Sequence, residues 1–477
     1  MDNYSTYENP LTSRYASQEM SALFSERKRI GYFRRLWTAL AAGERECGID
    51  ITEGQIEELR SHWDDINFDV ARAREKVVRH DVMAHIYAYG VQCPSAAPII
   101  HLGATSCYVT DNADIIIYKE ALELITAKVV AVMSHLSNFA KCYCATPTLG
   151  FTHYQPAQPV TVGKRAALWI QDFLSDYNIL RFVGDNLMLR GVKGATGTQA
   201  GFVTLFNGNS EKILALEEYV KNCFGFKNVF PVTGQTYSRK TDYTILSALS
   251  GIAQSAYKFS IDLRLLQSMK EIEEPFEKGQ VGSSAMAYKR NPMRSERISS
   301  LSRYLISLPV NAANTAATQG FERTLDDSAN RRIVMSQAFL AADAILELAL
   351  NVTDGLVVYE KVIESRLASE LPFMATEAIL MECVKAGGDR QKLHEKIREH
   401  SMAAEKQFRE GGEKDLIKRL KKDRAFSAVK DYSQLLDAKN FIGRAPEQTL
   451  EFISEYIDPI VAEYSYKIKR FPGNIEI

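Results

Sequence analysis

Between Ile115 and Phe139 the apolar positions Ile115, Tyr118, Leu122, Ile125, Val129, Val132, Leu136 and Phe139 alternate three and four residues apart without a miss. That spacing is a heptad seam, and it commits the segment to a long helix packed lengthwise against others. Asp111 reads as its N-cap and Pro147 closes the segment, predicting a helix of about 28 residues and roughly 42 Å. The pattern recurs in Ala166, Ile170, Phe173, Tyr177 and Leu180, and again in Ile245, Leu249, Ile252, Ala256, Phe259, Leu263 and Leu266. Ile298, Leu301, Leu305 and Leu308, stopped by Pro309, supply a fourth seam, and Phe339, Ala342, Leu346 and Ala349 a fifth. Five such helices pack nearly parallel or antiparallel, so the fold class is all-α, a long-helix bundle.

The bundle is expected over residues 112–364, between a mixed helical segment at 1–111 and a charged helical segment at 365–477, three domains in all. Some seams are broad enough to accept helices from other subunits, so the bundle is expected to be completed by oligomerisation. In the last segment GGDRQKLHEKIREH and GGEKDLIKRLKKDR read as short solvated helices broken by glycine pairs. The basic run from Lys414 to Arg424 has leucine and isoleucine at helical spacing, which fits a helix with one wet face.

The net charge of −1 gives no global attraction to nucleic acid or to an anionic membrane. The sequence MDNYSTYENPLTSRYAS lacks a basic stretch followed by an apolar core, and no continuous apolar run approaches the roughly 18 residues of a membrane span. The seven cysteines, an odd and scattered set, read as reduced thiols of a cytoplasmic protein. Cys142 and Cys144 form the closest pair, without the two further ligands that a zinc site needs. No metal site is expected. GVKGATGTQAG, residues 191–201, matches neither dinucleotide nor phosphate-loop spacing; it reads as a loop whose glycines allow close backbone approach, with a plain turn as the favoured alternative.

Three polar clusters interrupt the helical pattern: RHDVMAH at 79–85, GFTHYQPAQP at 150–159 and SSAMAYKRNPMRSE at 283–296. Each sets a candidate acid, base or hydroxyl among groups that bind anions. Any one alone is more often structural, since a histidine near a helix end is usually a hydrogen-bonding residue. Three at the edges of one bundle point to chemistry.

SSAMAYKRNP resembles the SSxMPxKxNP signature of the fumarase/aspartase superfamily, and THYQPAQP and HLGATS (101–106) resemble that superfamily's other two active-site segments. Within it RHDVMAH, KRNPMRSER, FERTLDDSANRR and GGDRQ resemble the adenylosuccinate lyase family. The resemblance spans most of the chain. It implies β-elimination of fumarate from adenylosuccinate, giving AMP, and from the related imidazole carboxamide succinyl nucleotide, with no metal or organic cofactor. Such an elimination needs a base, an acid and stabilisation of a doubly negative intermediate.

By the same resemblance Ser283 is the base, activated by its surroundings, and His153 the acid that protonates the leaving nitrogen. His80, between Arg79 and Asp81, matches a second histidine that contacts substrate. Lys289 and Asn291 would hold a succinyl carboxylate, Thr105 and Ser106 match hydroxyl donors to the succinyl group, and Gln235 matches a substrate-contacting amide. Arg14, Tyr15, Arg297, Arg323, Ser328 and Arg332 match contacts at the nucleotide end, where arginine's planar fork suits phosphate. Without the resemblance, Arg331 and Arg332 would read as a surface basic pair. The family assembles as a homotetramer with sites shared between subunits, which is the expectation here.

The chain departs from the signature at Ala287, where the family has proline. Tyr288-Lys289-Arg290-Asn291-Pro292 separates it from argininosuccinate lyase (QKKNP-like) and fumarase (GKVNP-like). A catalytically silent scaffold would be expected to lose Ser283, His153 or Lys289, and all three are present.

Overall fold

In the computed structural model, which describes residues 5–471, helices α1 (Glu26–Glu46), α2 (Phe68–Val78) and α3 (Asp81–Gln92) lead into α4 (Ser106–Cys142). A hairpin of β1 (Pro147–Thr152) and β2 (Gln155–Thr161) joins α4 to α5 (Val162–Asp185). There follow α6 (Lys240–Ser268), β3 (Ile272–Glu273), α7 (Met293–Ser307), α8 (Pro309–Thr318), α9 (Asp326–Asp354) and β4 (Val357–Val358), which pairs with β3. The fold is all-α, as the seams predict, and the two short antiparallel β-pairs sit at turns.

All eight residues of the first seam are buried, and so are most of the positions between them. Helix α4 is therefore apolar around most of its circumference, the mark of a central helix. It is also longer than predicted, at 37 residues. Asp111 is not its N-cap. The helix starts after Thr105, and Asp111 lies inside it, where its carboxylate takes the Tyr237 amide and pairs with Arg239. A seam marks where apolar packing begins, and the first turns of α4 are held instead by polar partners.

Cross-helix bonds fix the helix directions. The N-terminal turns of α4, α6 and α9 meet through Asp111, Arg239 and Asp327. Farther along, Lys128 of α4 pairs with Asp343 and Glu347 of α9. These three helices run parallel. Trp169 of α5 donates to Asp262 near the end of α6, and Ser299 of α7 meets Ser260 of α6, so α5 and α7 run the other way. The bundle thus has two distinct ends, separated along α6 by 29 residues, about 43 Å at 1.5 Å per residue.

Helix α9 is long and apolar enough to cross a membrane, but its most apolar stretch is 78% buried inside the bundle. Beyond it, α10 (Glu360–Met374) packs on β1, and α11 (Thr376–Lys385), α12 (Arg390–Arg409) and α13 (Leu416–Lys422) share a separate apolar cluster that includes Leu393, Leu416 and Leu420. Gly387-Gly388 and Gly411-Gly412 fall between these helices, at the breaks read from the sequence. Residues Ile453 to Phe471 return to the main core, and Lys141 of α4 pairs with Asp458 at 2.8 Å.

Candidate functional site

At the end where α4, α6 and α9 begin, four segments converge. Arg79 ends α2 in a left-handed conformation (φ 53°) that turns the chain, and His80 caps α3, its Nδ1 accepting the Met83 amide at 3.3 Å. That bond puts the ring proton on Nε2, which lies 3.5 Å from the Ser106 hydroxyl. Asp81 pairs with Arg332 at 2.9 Å. Burial works against its ionisation, but the Val82 amide and the Arg332 guanidinium hold its carboxyl below the usual carboxylate range. Thr105 occupies the N-cap position of α4 without using its hydroxyl as a cap, and that hydroxyl lies 3.5 Å from the Gln235 amide nitrogen. Arg323 donates to Gln235 Oε1 at 3.0 Å, fixing which way the amide faces. Ser328 stands half-buried in the first turn of α9.

A buried polar layer braces this end. Arg190 donates to the carbonyls of Gln235 at 2.7 Å and Gly194 at 2.6 Å, clamping the glycine loop to the segment that carries Gln235. Gly197 (φ 83°) is required there, because a Cβ would lie 1.8 Å from the Thr233 carbonyl. Close approach is thus the loop's role, and its neighbour is the Gln235 segment. Arg331 is not a surface residue: it is buried against Asp242 at 2.5 Å, Asp114 at 3.2 Å and the Tyr237 hydroxyl. Arg332, one residue on, is exposed. Burial pushes the Cys107 thiol up to about 11, and Arg323 lies 2.7 Å from its sulfur. The sequence gives no signal for Arg190, Arg239 or Cys107, since a buried arginine and an exposed one look alike in a single chain.

At the opposite end, residues 275–292 leave β3 as a loop and return at α7. Ser283 is half-buried and accepts the Ala285 and Met286 amides at 3.3 and 3.1 Å, while Lys289 is exposed. Asn291 donates to the Gly282 carbonyl at 2.8 Å, drawing the two limbs together. The Lys289 amide closes a turn on the Met286 carbonyl at 2.9 Å, with Ala287 at its second position. Arg297, one turn into α7, lies over the Tyr15 ring at 5.5 Å, with Arg14 beside it.

His153 stands apart from both groups. It and Tyr154 form the two-residue tip of the β1–β2 hairpin, both with positive φ (52° and 56°), and both are exposed. Within the described residues the chain therefore gathers the predicted site residues into three groups. His80, Asp81, Thr105, Ser106, Gln235, Arg323 and Arg332 meet at one end, with Arg79 and Ser328 adjoining. Ser283, Lys289, Asn291, Arg297, Arg14 and Tyr15 lie toward the other. Among the described residues no group of three metal-ligating side chains comes together.

A lyase family profile matches residues 38–306, and a profile for the adenylosuccinate lyase C-terminus matches residues 372–452. The chain is 52% identical over 463 residues to an adenylosuccinate lyase of Saccharomyces cerevisiae, covering 96% of each protein. It is 50% identical over 473 residues to that of Schizosaccharomyces pombe, covering 98% of each, and 47% identical over 468 residues to that of Schistosoma mansoni, covering 97% of this chain and 98% of that one. Among solved structures the fold resembles a 3-carboxy-cis,cis-muconate lactonizing enzyme from Pseudomonas putida, with a TM-score of 0.81, 21% identity and 97% of this chain and 100% of that chain covered. It also resembles a fumarate lyase from Mesorhizobium sp. BNC1, with a TM-score of 0.79, 20% identity and 94% and 100% covered.

Proposed function

The chain belongs to the adenylosuccinate lyase family, and on that premise we propose that it eliminates fumarate from adenylosuccinate at sites built from several copies of itself in a homotetramer. The carrying observation is the separation of the groups. Gln235 lies just before α6 and Gln267, which holds the Arg290 carbonyl of the loop, lies near its end, about 40 Å away along the helix. A succinyl nucleotide cannot touch both. A second copy running the opposite way alongside would place its loop beside the first copy's Thr105 and Gln235. The outer side of α5 supports this arrangement: Leu168, Ile179 and Phe182 lie exposed on one stripe, broken by Ser175, at heptad spacing.

In such a site Ser283, as the alkoxide that the Ala285 and Met286 amides would stabilise, removes the proton from the carbon beside the succinyl carboxylate and becomes the neutral hydroxyl. Lys289 and Asn291 hold that carboxylate and stabilise the charge that develops. His153 protonates the nitrogen as the C–N bond breaks, so fumarate leaves and AMP remains. Thr105, Ser106 and Gln235 orient the succinyl group, with Gln235 fixed by Arg323. His80 presents its Nε2 proton at the same place. Arg14, Tyr15, Arg297, Arg323, Ser328 and Arg332 receive the nucleotide end. The same elimination serves the imidazole carboxamide succinyl nucleotide, a purine precursor. The seven free thiols suit action in the reducing cytoplasm.

Purified protein mixed with adenylosuccinate should release AMP and fumarate in equal amounts. No release, or cleavage of argininosuccinate instead, overturns the substrate assignment. Light scattering at the mass of a single chain under turnover conditions overturns the shared site.

A further inference from the structure

Glu274 lies where the chain leaves β3 for the loop, and its side chain is buried. Its Oε1 accepts the Arg294 amide at 3.0 Å, and its Oε2 accepts the Ser295 amide at 2.9 Å and the Ser295 hydroxyl at 2.7 Å. These two amides belong to the first turn of α7, where N–H groups have no partner within the helix. Negative charge is favoured there by the helix dipole. One carboxylate thus fastens the stem that departs to the stem that returns.

Further bonds carry this restraint into the loop. Arg294, itself buried, donates to the Pro275 carbonyl at 2.6 Å and pairs with Glu277. Gln267 takes the Glu274 amide at 3.4 Å and donates to the Arg290 carbonyl at 3.1 Å. Asn291 then holds Gly282, the residue before Ser283. The limbs close so tightly that a Cβ on Gly282 would lie 2.1 Å from the Lys289 carbonyl.

We propose that Glu274 is a positioning residue for the elimination, pinning both stems of the loop so that Ser283, Lys289 and Asn291 reach the substrate in one arrangement. The proposal rests on the roles given to those three residues above. Glu274 touches no substrate and acts through α7 and the loop. A carboxylate is needed because its two oxygens meet two amides and a hydroxyl, all donors. Glutamine keeps the size but turns an N–H₂ group toward one of them.

In the full-length Glu274→Gln protein, kcat should fall about 10- to 100-fold, the cost of a catalytic group displaced by up to about 1 Å, with KM little changed. Amide hydrogen exchange should quicken across residues 276–291 while α4 and α6 keep their protection. Unchanged loop exchange overturns the proposal. So does faster exchange with normal kcat, provided that Ser283→Ala, measured alongside, is inactive; an active Ser283→Ala would place the failure in the catalytic assignment instead. If Glu274→Gln does not fold, Glu274→Asp replaces it, keeping the charge on a shorter stem. Lowered kcat together with faster loop exchange then supports the proposal, and any other pairing overturns it.

Discussion

The two ends of the bundle hold their polar groups in opposite ways. Where α4, α6 and α9 begin, Arg239 and Arg331 are buried among Asp111, Asp114, Asp242 and Asp327, and Gln235 is held through both its backbone and its side chain. At the loop end Lys289 is exposed, and among the described residues Ser283 accepts bonds from the Ala285 and Met286 amides of its own loop. One end is organised before substrate arrives. The other is fastened at its stems, and its tip, residues 284–290, is exposed. On the roles proposed above, groups that recognise and groups that react are given different mechanical support within one chain.

The largest effects should come from the two groups proposed to move protons. Ser283→Ala and His153→Ala should each lower turnover about 100-fold or more, with thermal melting close to that of the parent; near-normal turnover in either removes that residue from the mechanism. Mixing the two inactive proteins after mild dissociation should restore activity, because some mixed sites would carry an intact serine and an intact histidine. Absence of recovery would argue that one copy supplies both.

At the braced end the balance reverses. Arg239→Met leaves Asp111 and Asp327 buried without their cation, and urea titration should read a loss of about 3–5 kcal/mol. Lys289→Met at the exposed end should change stability by less than about 0.5 kcal/mol while still depressing turnover. Equal destabilisation by the two would erase the contrast between the ends.

The smallest effect should follow Ala287→Pro. Ala287 occupies the second position of the Met286–Lys289 turn, where proline is favoured, and its φ is not positive. Proline should therefore reduce the entropy lost on ordering the loop, by about 0.4–1 kcal/mol, and speed closure in stopped-flow measurements. Identical closure rates for both proteins would show that the turn is already fixed by the stems.

What could be read in advance follows from periodicity and from motif. The five seams are patterns of apolar spacing, and their residues are buried or nearly so. The charged layer is not periodic: Asp111 was legible as an acidic residue near a helix start, yet its partner Arg239 lies 128 residues away. No local pattern records such a pairing. Arg331 illustrates the same gap, since a basic pair in sequence becomes one buried and one exposed arginine when a helix turns them to different faces. The proposed site residues stand out as motifs, whereas their separation along the bundle depends on helix direction, which the cross-helix bonds reveal.

The hairpin tip that carries His153 joins two demands that pull apart. A two-residue connection with both residues at positive φ is best filled by Asn-Gly, and histidine and tyrosine sit there at a conformational cost. A chain selected only for resistance to heat would drift toward Asn-Gly at 153 and 154 and gain stability with each step. If His153 is the acid proposed above, it would then be a sturdier protein with no proton to give. On the role proposed for it, histidine at that position sets turnover against a backbone that would be more relaxed without it.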